Sequence, residues 1–192
     1  RKRQSLSIII MPKSKSAYSV PTKKEKPETY IFVVWVDNEA GVLARVVGLF
    51  SGRGYNIESL AVAEVDAIKN ISRITIVTTG TPQVIDQIKL QLTKLVPVHK
   101  VAEFQREDKN VIFKEMALFK VVGKRNKIEK CLNACKRFNP IILDKTKTSA
   151  VIQITALRRE IDKMNKKLKP FGLISTSRTG AVAMTRGAKI FN

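Results

Sequence analysis

The chain has 192 residues, 44% of them hydrophobic, and it carries a formal net charge of +20. This hydrophobic content excludes a chain that is disordered throughout. No apolar run approaches the roughly 20 residues that span a bilayer, so we expect no transmembrane helix. With two cysteines and no recognisable secretory signal, we expect a reducing, intracellular setting.

The positive charge is unevenly distributed along the chain. Residues 1–27 carry eight basic side chains and one acidic one, residues 28–106 carry eight of each, and residues 107–192 carry twenty basic and seven acidic ones. These segments therefore have net charges of +7, zero and +13, which indicates an anionic partner. Charge alone leaves nucleic acid, a membrane surface and an acidic protein open.

The segment 1–27 is rich in Lys, Arg and Ser and is interrupted by three prolines. One interpretation is a basic, disordered tail. The other is the remnant of an organelle transit segment, because such segments share this composition. If the segment is a transit remnant, we expect the protein to be located in the plastid stroma or the mitochondrial matrix, and otherwise in the cytoplasm.

Regular apolar patterns begin at Tyr30. The stretch "YIFVVWV" predicts a strand that is buried on both faces. After a turn from Asp37 to Gly41, apolar residues recur at helical spacing, and Gly52 and Gly54 predict the end of this helix. The predicted apolar stripe consists of Val42, Leu43, Val46, Val47 and Phe50.

Three strands and a second helix are predicted next. "NIESLAVAEV" and "ISRITIVTT" are predicted to form a hairpin, and "VPVHKVAEF" a final strand. Thr81 as N-cap and Pro82 at the first helical position indicate the start of the second helix. The order β-α-β-β-α-β over residues 28–106 is typical of a ferredoxin-like unit. Its helices would cover one face of the sheet, and something else must cover the other. Because so small a unit buries little surface, we also expect it to pair with a second copy of the chain.

The polar stretch "QREDKN" indicates a linker, after which the same order of elements recurs in residues 107–192. The sequence therefore predicts an α+β protein with two ferredoxin-like domains, 28–106 and 107–192.

The turn after the first strand is a candidate binding site. Asn38 and Gly41 precede a helix, whose first N–H groups lack partners within the helix and favour an anion. A plain capped turn is the alternative, and phosphate binding is less supported because the P-loop and Rossmann glycine spacings are absent. Asn56 lies beyond the far end of this helix, and its amide can donate and accept at once. A turn asparagine without a ligand is the alternative there.

No catalytic or metal-binding constellation emerges from the residues. Cys131 and Cys135 lie four apart on one predicted helix face, which indicates buried core residues more than zinc ligands. His99 is the sole histidine and has no evident nucleophile beside it. The basic runs "GKRNKIEK" and "MNKKLK" are either solvated helix faces or a docking surface.

Several long stretches resemble one family. They are "DNEAGVLARVVGLFSGRGYNIESLAV", "ISRITIV", "QVIDQIKLQLTKLVPVHKV", "KEMALFKV" and "KPFGLISTSRTGAVAMTRG", in this order between Tyr30 and Gly187. They are similar to the small, regulatory subunits of acetohydroxyacid synthase, also called acetolactate synthase. The resemblance implies an N-terminal ACT domain and a non-catalytic C-terminal α+β domain.

The same resemblance implies a function. Members of this family activate a catalytic subunit and make it sensitive to feedback inhibition by valine in branched-chain amino acid biosynthesis. Thiamine diphosphate, magnesium and FAD belong to the catalytic subunit, so we expect no cofactor and no enzymatic activity on this chain. The effector, valine with leucine or isoleucine as alternatives, is expected between two ACT domains of a homodimer. The residues implied at this site are Asn38, Glu39, Ala40, Gly41, Val42, Leu43, Asn56 and Ile57.

A basic ferredoxin-like nucleic-acid-binding protein is the alternative function. The predicted strands lack the interleaved basic and aromatic residues of an RNA-reading sheet. We therefore expect neither nucleic acid nor a membrane as partner. The +13 C-terminal half is expected to dock on or activate the catalytic subunit, whereas residues 30–106 are expected to suffice for dimerisation and valine binding.

Overall fold

A computed structural model describes residues 26–188 of the chain, and nearly all of the predicted tail, 1–27, lies outside the described residues. Twelve regular elements follow one another in two sets. The first set is β1 (Glu28–Asp37), α1 (Val42–Ser51), β2 (Ser59–Asp66), β3 (Ile71–Gly80), α2 (Pro82–Thr93) and β4 (Val98–Gln105). The second set is β5 (Val111–Val122), α3 (Arg125–Cys135), β6 (Ile141–Lys145), β7 (Ser149–Ala156), α4 (Arg158–Leu168) and β8 (Leu173–Thr185).

Each set forms a four-stranded antiparallel sheet. The strand orders are β2-β3-β1-β4 and β6-β7-β5-β8, so the first strand of each set is central in its sheet. Both sets therefore repeat the ferredoxin-like order, which confirms the predicted fold class. None of the helices in the described part of the chain is long and apolar enough to cross a membrane.

The first core lies between the sheet and its two helices. Phe32, Val34 and Val36 of β1 point to this side, as expected for alternate residues of a strand. In α1 the buried side chains are Val42, Val46, Leu49 and Phe50. The predicted stripe was wrong at Leu43, which is 40% exposed, and it omitted Leu49. The spacing 42, 46, 49, 50 places residue 43 at the rim of the buried face.

The second core has the same construction. Alternate residues of β5 and β7 meet the inner faces of α3 and α4, which contribute Ile128 and Ile161 among other side chains. Cys131 and Cys135 are both fully buried in this cluster, where they pack as small apolar residues.

The open face of the first sheet is covered by the C-terminal half of the same chain. β7 pairs with β5 only from Glu115 onward, whereas β5 and β8 remain paired as far as Val111 and Thr185. Residues 111–114 and 182–185 therefore project from the second sheet as a two-stranded ribbon. A third apolar cluster joins the two halves; it consists of Ile31, Val33, Val77, Val111, Phe113, Ala181 and Ala183.

The cover that this face requires is therefore provided within one chain. The covering residues come from the chain itself, because the ribbon presents one apolar side to the sheet. Any pairing of two copies through the first domain has to use other surfaces.

Candidate effector-binding site

The turn between β1 and α1 is anchored by β3 and the residue before it. The Asn38 backbone N–H donates to the Asn70 carbonyl at 2.7 Å, and the Asn70 side-chain amide donates to the Asn38 carbonyl at 3.3 Å. The Ser72 hydroxyl donates to the Asn38 side-chain oxygen at 2.9 Å. Because this oxygen is engaged, the exposed Asn38 side chain offers its remaining N–H donors to the surroundings.

Gly41 is the N-cap of α1 and adopts φ of 85°, in the left-handed region where glycine is favoured. No side chain caps this helix, so its first N–H groups are not used by a capping side chain. A Cβ built at Gly41 would meet no heavy atom within 4 Å. The space beside the turn is therefore open, and it lies at the end of α1 that attracts negative charge.

The other side chains of the turn have different environments. Glu39, Ala40 and Leu43 are exposed, whereas Val42 is only 4% exposed and belongs to the first core. The Val42 side chain is therefore unavailable to a ligand. Leu43 is the large apolar side chain of this turn that is exposed.

Asn56 and Ile57 lie beyond the opposite end of α1. The Tyr55 N–H donates to the Phe50 carbonyl at 2.9 Å, and the Thr78 hydroxyl donates to the Asn56 carbonyl at 2.7 Å. These bonds hold the backbone, while the Asn56 side chain is exposed and Ile57 packs partly against the first core.

The structure thus brings together Asn38 through Leu43 but keeps Asn56 and Ile57 apart from them. α1 has ten residues, which corresponds to about 15 Å of helix. One small amino acid cannot contact both groups within a single chain.

Ser72 and Thr78 were missed by the sequence reasoning. They are 5% and 1% exposed and lie on β3, more than twenty residues away from the groups that they bind. The available signal was their hydroxyl groups in a strand rich in β-branched apolar residues, because buried polar side chains almost always have a hydrogen-bond partner.

The segment that follows Asn56 contacts the C-terminal half directly. The Arg158 guanidinium donates to the Glu58 carbonyl at 3.2 Å, and the Ala181 N–H donates to the Ser59 hydroxyl at 3.2 Å. Arg73, on β3, also donates to the Ala183 carbonyl. Asn56 is therefore two residues from a polar contact between the two domains.

The remaining candidate groups have structural surroundings. His99 pairs with Asp37 at 2.6 Å on the protein surface. The Cys135 thiol is 4.0 Å from the Met164 sulfur. Its hydrogen bond with Cys131, together with burial, raises the pKa of Cys135 far above its usual range. Within residues 26–188, no group of three or more His, Cys, Asp or Glu side chains is placed to hold a metal ion.

Comparisons with known proteins agree on one family. Residues 32–100 match the family described as AHAS small subunit-like ACT domain, and residues 114–187 match the family described as small subunit of acetolactate synthase. The chain is 35% identical to the acetolactate synthase small subunit of Mycobacterium bovis over 85% of this chain and 95% of that protein. It is 37% identical to the small subunit of Aquifex aeolicus over 88% and 86% of the two chains.

The solved structures include one with the same architecture in both halves. The crystal structure of the acetolactate synthase small subunit from Thermotoga maritima has a TM-score of 0.75 and 33% identity to this chain. The match covers 84% of this chain and 99% of that one.

Proposed function

The chain belongs to the small-subunit family of acetolactate synthase and is a non-catalytic regulatory subunit, and on this premise we propose that it activates a catalytic subunit and makes it sensitive to valine. In this proposal thiamine diphosphate, magnesium and FAD are carried by the catalytic subunit. The observation that carries the proposed effector site is the open turn between β1 and α1, with its glycine N-cap and its oriented asparagine.

The chemistry of the turn suits an amino acid. Free N–H groups at the start of α1 can bind the carboxylate, with Asn38 as an additional donor. Asn56 of a second copy can accept from the ammonium group through its side-chain oxygen. The exposed Leu43 and the half-buried Ile57 offer apolar contacts for a short branched side chain.

The distance between these groups supports the proposal of a homodimer. Because about 15 Å of helix separates Asn38 from Asn56, a complete site needs the turn of one copy and the asparagine of the other. β2 is an edge strand of the first sheet, and its exposed Val62 and Val65 offer an apolar surface for the second copy. An interface of this kind would be isologous and would contain two equivalent sites.

The bound effector would act on the C-terminal half through residues 56–59. A ligand that orders Asn56 also constrains Glu58 and Ser59, which bind Arg158 and the Ala181 N–H. Valine would thus change how the two domains pack if it binds one arrangement of this segment more tightly than another.

The C-terminal half is proposed to contact the catalytic subunit. Its outward helix surfaces carry many exposed basic side chains; they include Lys124, Arg125, Lys127, Lys130, Lys163, Lys166 and Lys167. An acidic surface on the catalytic subunit would be attracted to them, and raising the salt concentration should weaken this attraction.

The test is reconstitution of the full chain with its catalytic subunit, followed by acetolactate formation at increasing valine concentrations. Loss of one hydrogen bond to a charged group costs about 1.5–3 kcal/mol. Asn38→Ala and Asn56→Ala should therefore each raise the half-inhibitory valine concentration about tenfold or more. Asn110→Ala is the matched control, because Asn110 is exposed in the linker, away from both the turn and the basic helix surfaces in the chain.

Unchanged valine sensitivity in both site variants would refute the effector site, and a chain that leaves the catalytic rate unaltered would refute the activating role. Tight binding of the intact chain to a DNA or RNA duplex at physiological salt would instead support the nucleic-acid alternative.

A further inference from the structure

The β6 strand is an exposed edge with an apolar sequence. β6 forms one edge of the second sheet, and among residues 26–188 it pairs with β7 alone. All five of its residues are exposed, and Ile141, Ile142 and Leu143 are 55%, 46% and 52% exposed. Proteins usually protect such edges with charges, prolines or a covering element, because the free N–H and C=O groups can bind another strand.

The apolar side chains of β6 lie on both faces of the sheet. Ile142 is opposite Ile152, which is fully buried beneath the helices, so Ile142 lies on the helix-covered face. A shallow hollow of about 390 Å³ separates it from α3 and is lined in part by Leu132 and Pro140. Ile141 is opposite Gln153 on the other face. An added strand could therefore place one side chain in the hollow and the next against Ile141.

Basic side chains surround this edge. Lys136 precedes β6, Lys145 is its last residue and Lys147 follows it; all three are exposed. Within the described residues 26–188, none of the three forms an ion pair. Glu129, the nearest acidic residue on α3, is paired with Arg125 at 3.0 Å. Asp144, on β6 itself, is also exposed, but the three lysines outnumber it, so the rim of the edge has a net positive charge.

The rim charge decides which strand fits. Antiparallel pairing of two β6 strands about Leu143 would place Lys145 of one copy opposite Ile141 of the other, so these lysines would gain no acidic partner and the two positive rims would adjoin. An extended segment with aliphatic residues at its centre and Asp or Glu at its ends would instead pack on the apolar side chains of β6 and pair with the lysines of the rim.

We propose that β6 binds such an acidic, extended segment of the catalytic subunit by β-strand addition. Main-chain hydrogen bonds to the free edge would supply affinity, and the hollow between α3 and β6 would select the side chain. This inference rests on the proposed function, because it assigns a surface to the partner named there.

The first test is the affinity of the full chain for its catalytic subunit at physiological salt, measured with Leu143→Pro. Leu143 lies at the bulge between Ile142 and Asp144 and has no register partner on β7. Proline there has no N–H to donate to an added strand, and its ring obstructs that strand. We expect the dissociation constant to rise at least tenfold. Ile142→Lys provides a second variant if Leu143→Pro does not fold, and we expect the same loss.

The second test distinguishes binding at the β6 edge from a general attraction to the positive charge of the C-terminal half. Lys145→Glu with Lys147→Glu should raise the dissociation constant at least tenfold and speed dissociation. The control, Lys109→Glu with Lys114→Glu, makes the same charge change on exposed positions of the linker and β5, outside the basic helix surfaces. It should change the constant less than threefold and act on the association rate.

Each outcome has a distinct meaning. If the unchanged chain does not bind the catalytic subunit, the proposed function itself fails. If it binds but the folded Leu143→Pro or Ile142→Lys protein binds equally well, or if the two lysine pairs have equal effects, the β6 proposal is overturned. Loss of self-association by the isolated Leu143→Pro chain in sedimentation, with unchanged affinity for the catalytic subunit, would identify a second copy as the occupant and also overturn it.

Discussion

Gly180 offers a sharp test of how closely the two domains pack. It lies on β8 where this strand crosses the residues around Ser59, and it has φ of 81°. A Cβ built at Gly180 would lie 2.8 Å from the Ser59 hydroxyl oxygen and 3.1 Å from the Leu60 carbonyl oxygen. Gly180→Ala should therefore force the domains apart at the segment that follows Asn56.

The expected cost has two parts. An alanine in the left-handed region costs about 1–2 kcal/mol, and overpacking of a tight contact costs about 1–3 kcal/mol. The Leu60 oxygen belongs to the backbone and cannot rotate away, so we expect a loss of about 2–5 kcal/mol in the free energy of unfolding. Gly54 has φ of 70° but no atom within 4 Å of a built Cβ. Gly54→Ala should therefore lower the free energy of unfolding only by the cost of the left-handed backbone conformation, about 1–2 kcal/mol.

The measurement is urea unfolding of the full chain, followed by circular dichroism. Ser59→Ala in the Gly180→Ala background removes the atom at 2.8 Å, so it should restore part of the loss relative to Gly180→Ala alone. An equal loss for Gly54→Ala and Gly180→Ala would refute the reasoning, because the contact between the domains would then contribute nothing beyond the backbone conformation.

Three further predictions follow from burial. Arg178 donates from Nε and Nη2 to the buried Glu115 carboxylate, so Arg178→Met should lower the free energy of unfolding in urea by about 3–5 kcal/mol. Adding Glu115→Leu should recover much of this loss, and a double variant as unstable as Arg178→Met would contradict the reasoning. Cys131 and Cys135 are fully buried, so a thiol reagent should label them only as the chain unfolds, and labelling within the mixing time of the native protein would show access. A chain ending at Arg106 lacks the ribbon that covers its apolar sheet face, so we expect it to bind the dye ANS and self-associate, whereas a monodisperse, dye-negative product would show that this cover is dispensable.

Local periodicity in the sequence determined the elements and their order. The continuous apolar stretch from Tyr30 to Val36 identified a strand buried on both faces, and the structure buries all of it except Trp35, which is half-buried. Proline at position 82 marked the start of α2. Gly41 marked the turn into α1, where it adopts the left-handed conformation that this residue tolerates. These features depend on residues close in sequence, so their pattern alone was sufficient to predict them.

Only the tertiary structure decided what lies opposite each face. Alternation shows that a face is apolar but does not identify its cover, and here the cover of the first sheet is the ribbon of β5 and β8 from the same chain. The bonds from Ser72 to Asn38 and from Thr78 to Asn56 likewise join residues more than twenty positions apart. Glu115 is a buried carboxylate on β5, and Arg178 reaches it only because β5 and β8 are paired. Such contacts depend on how the elements pack together, so the sequence around one residue does not identify the distant residue that it will contact.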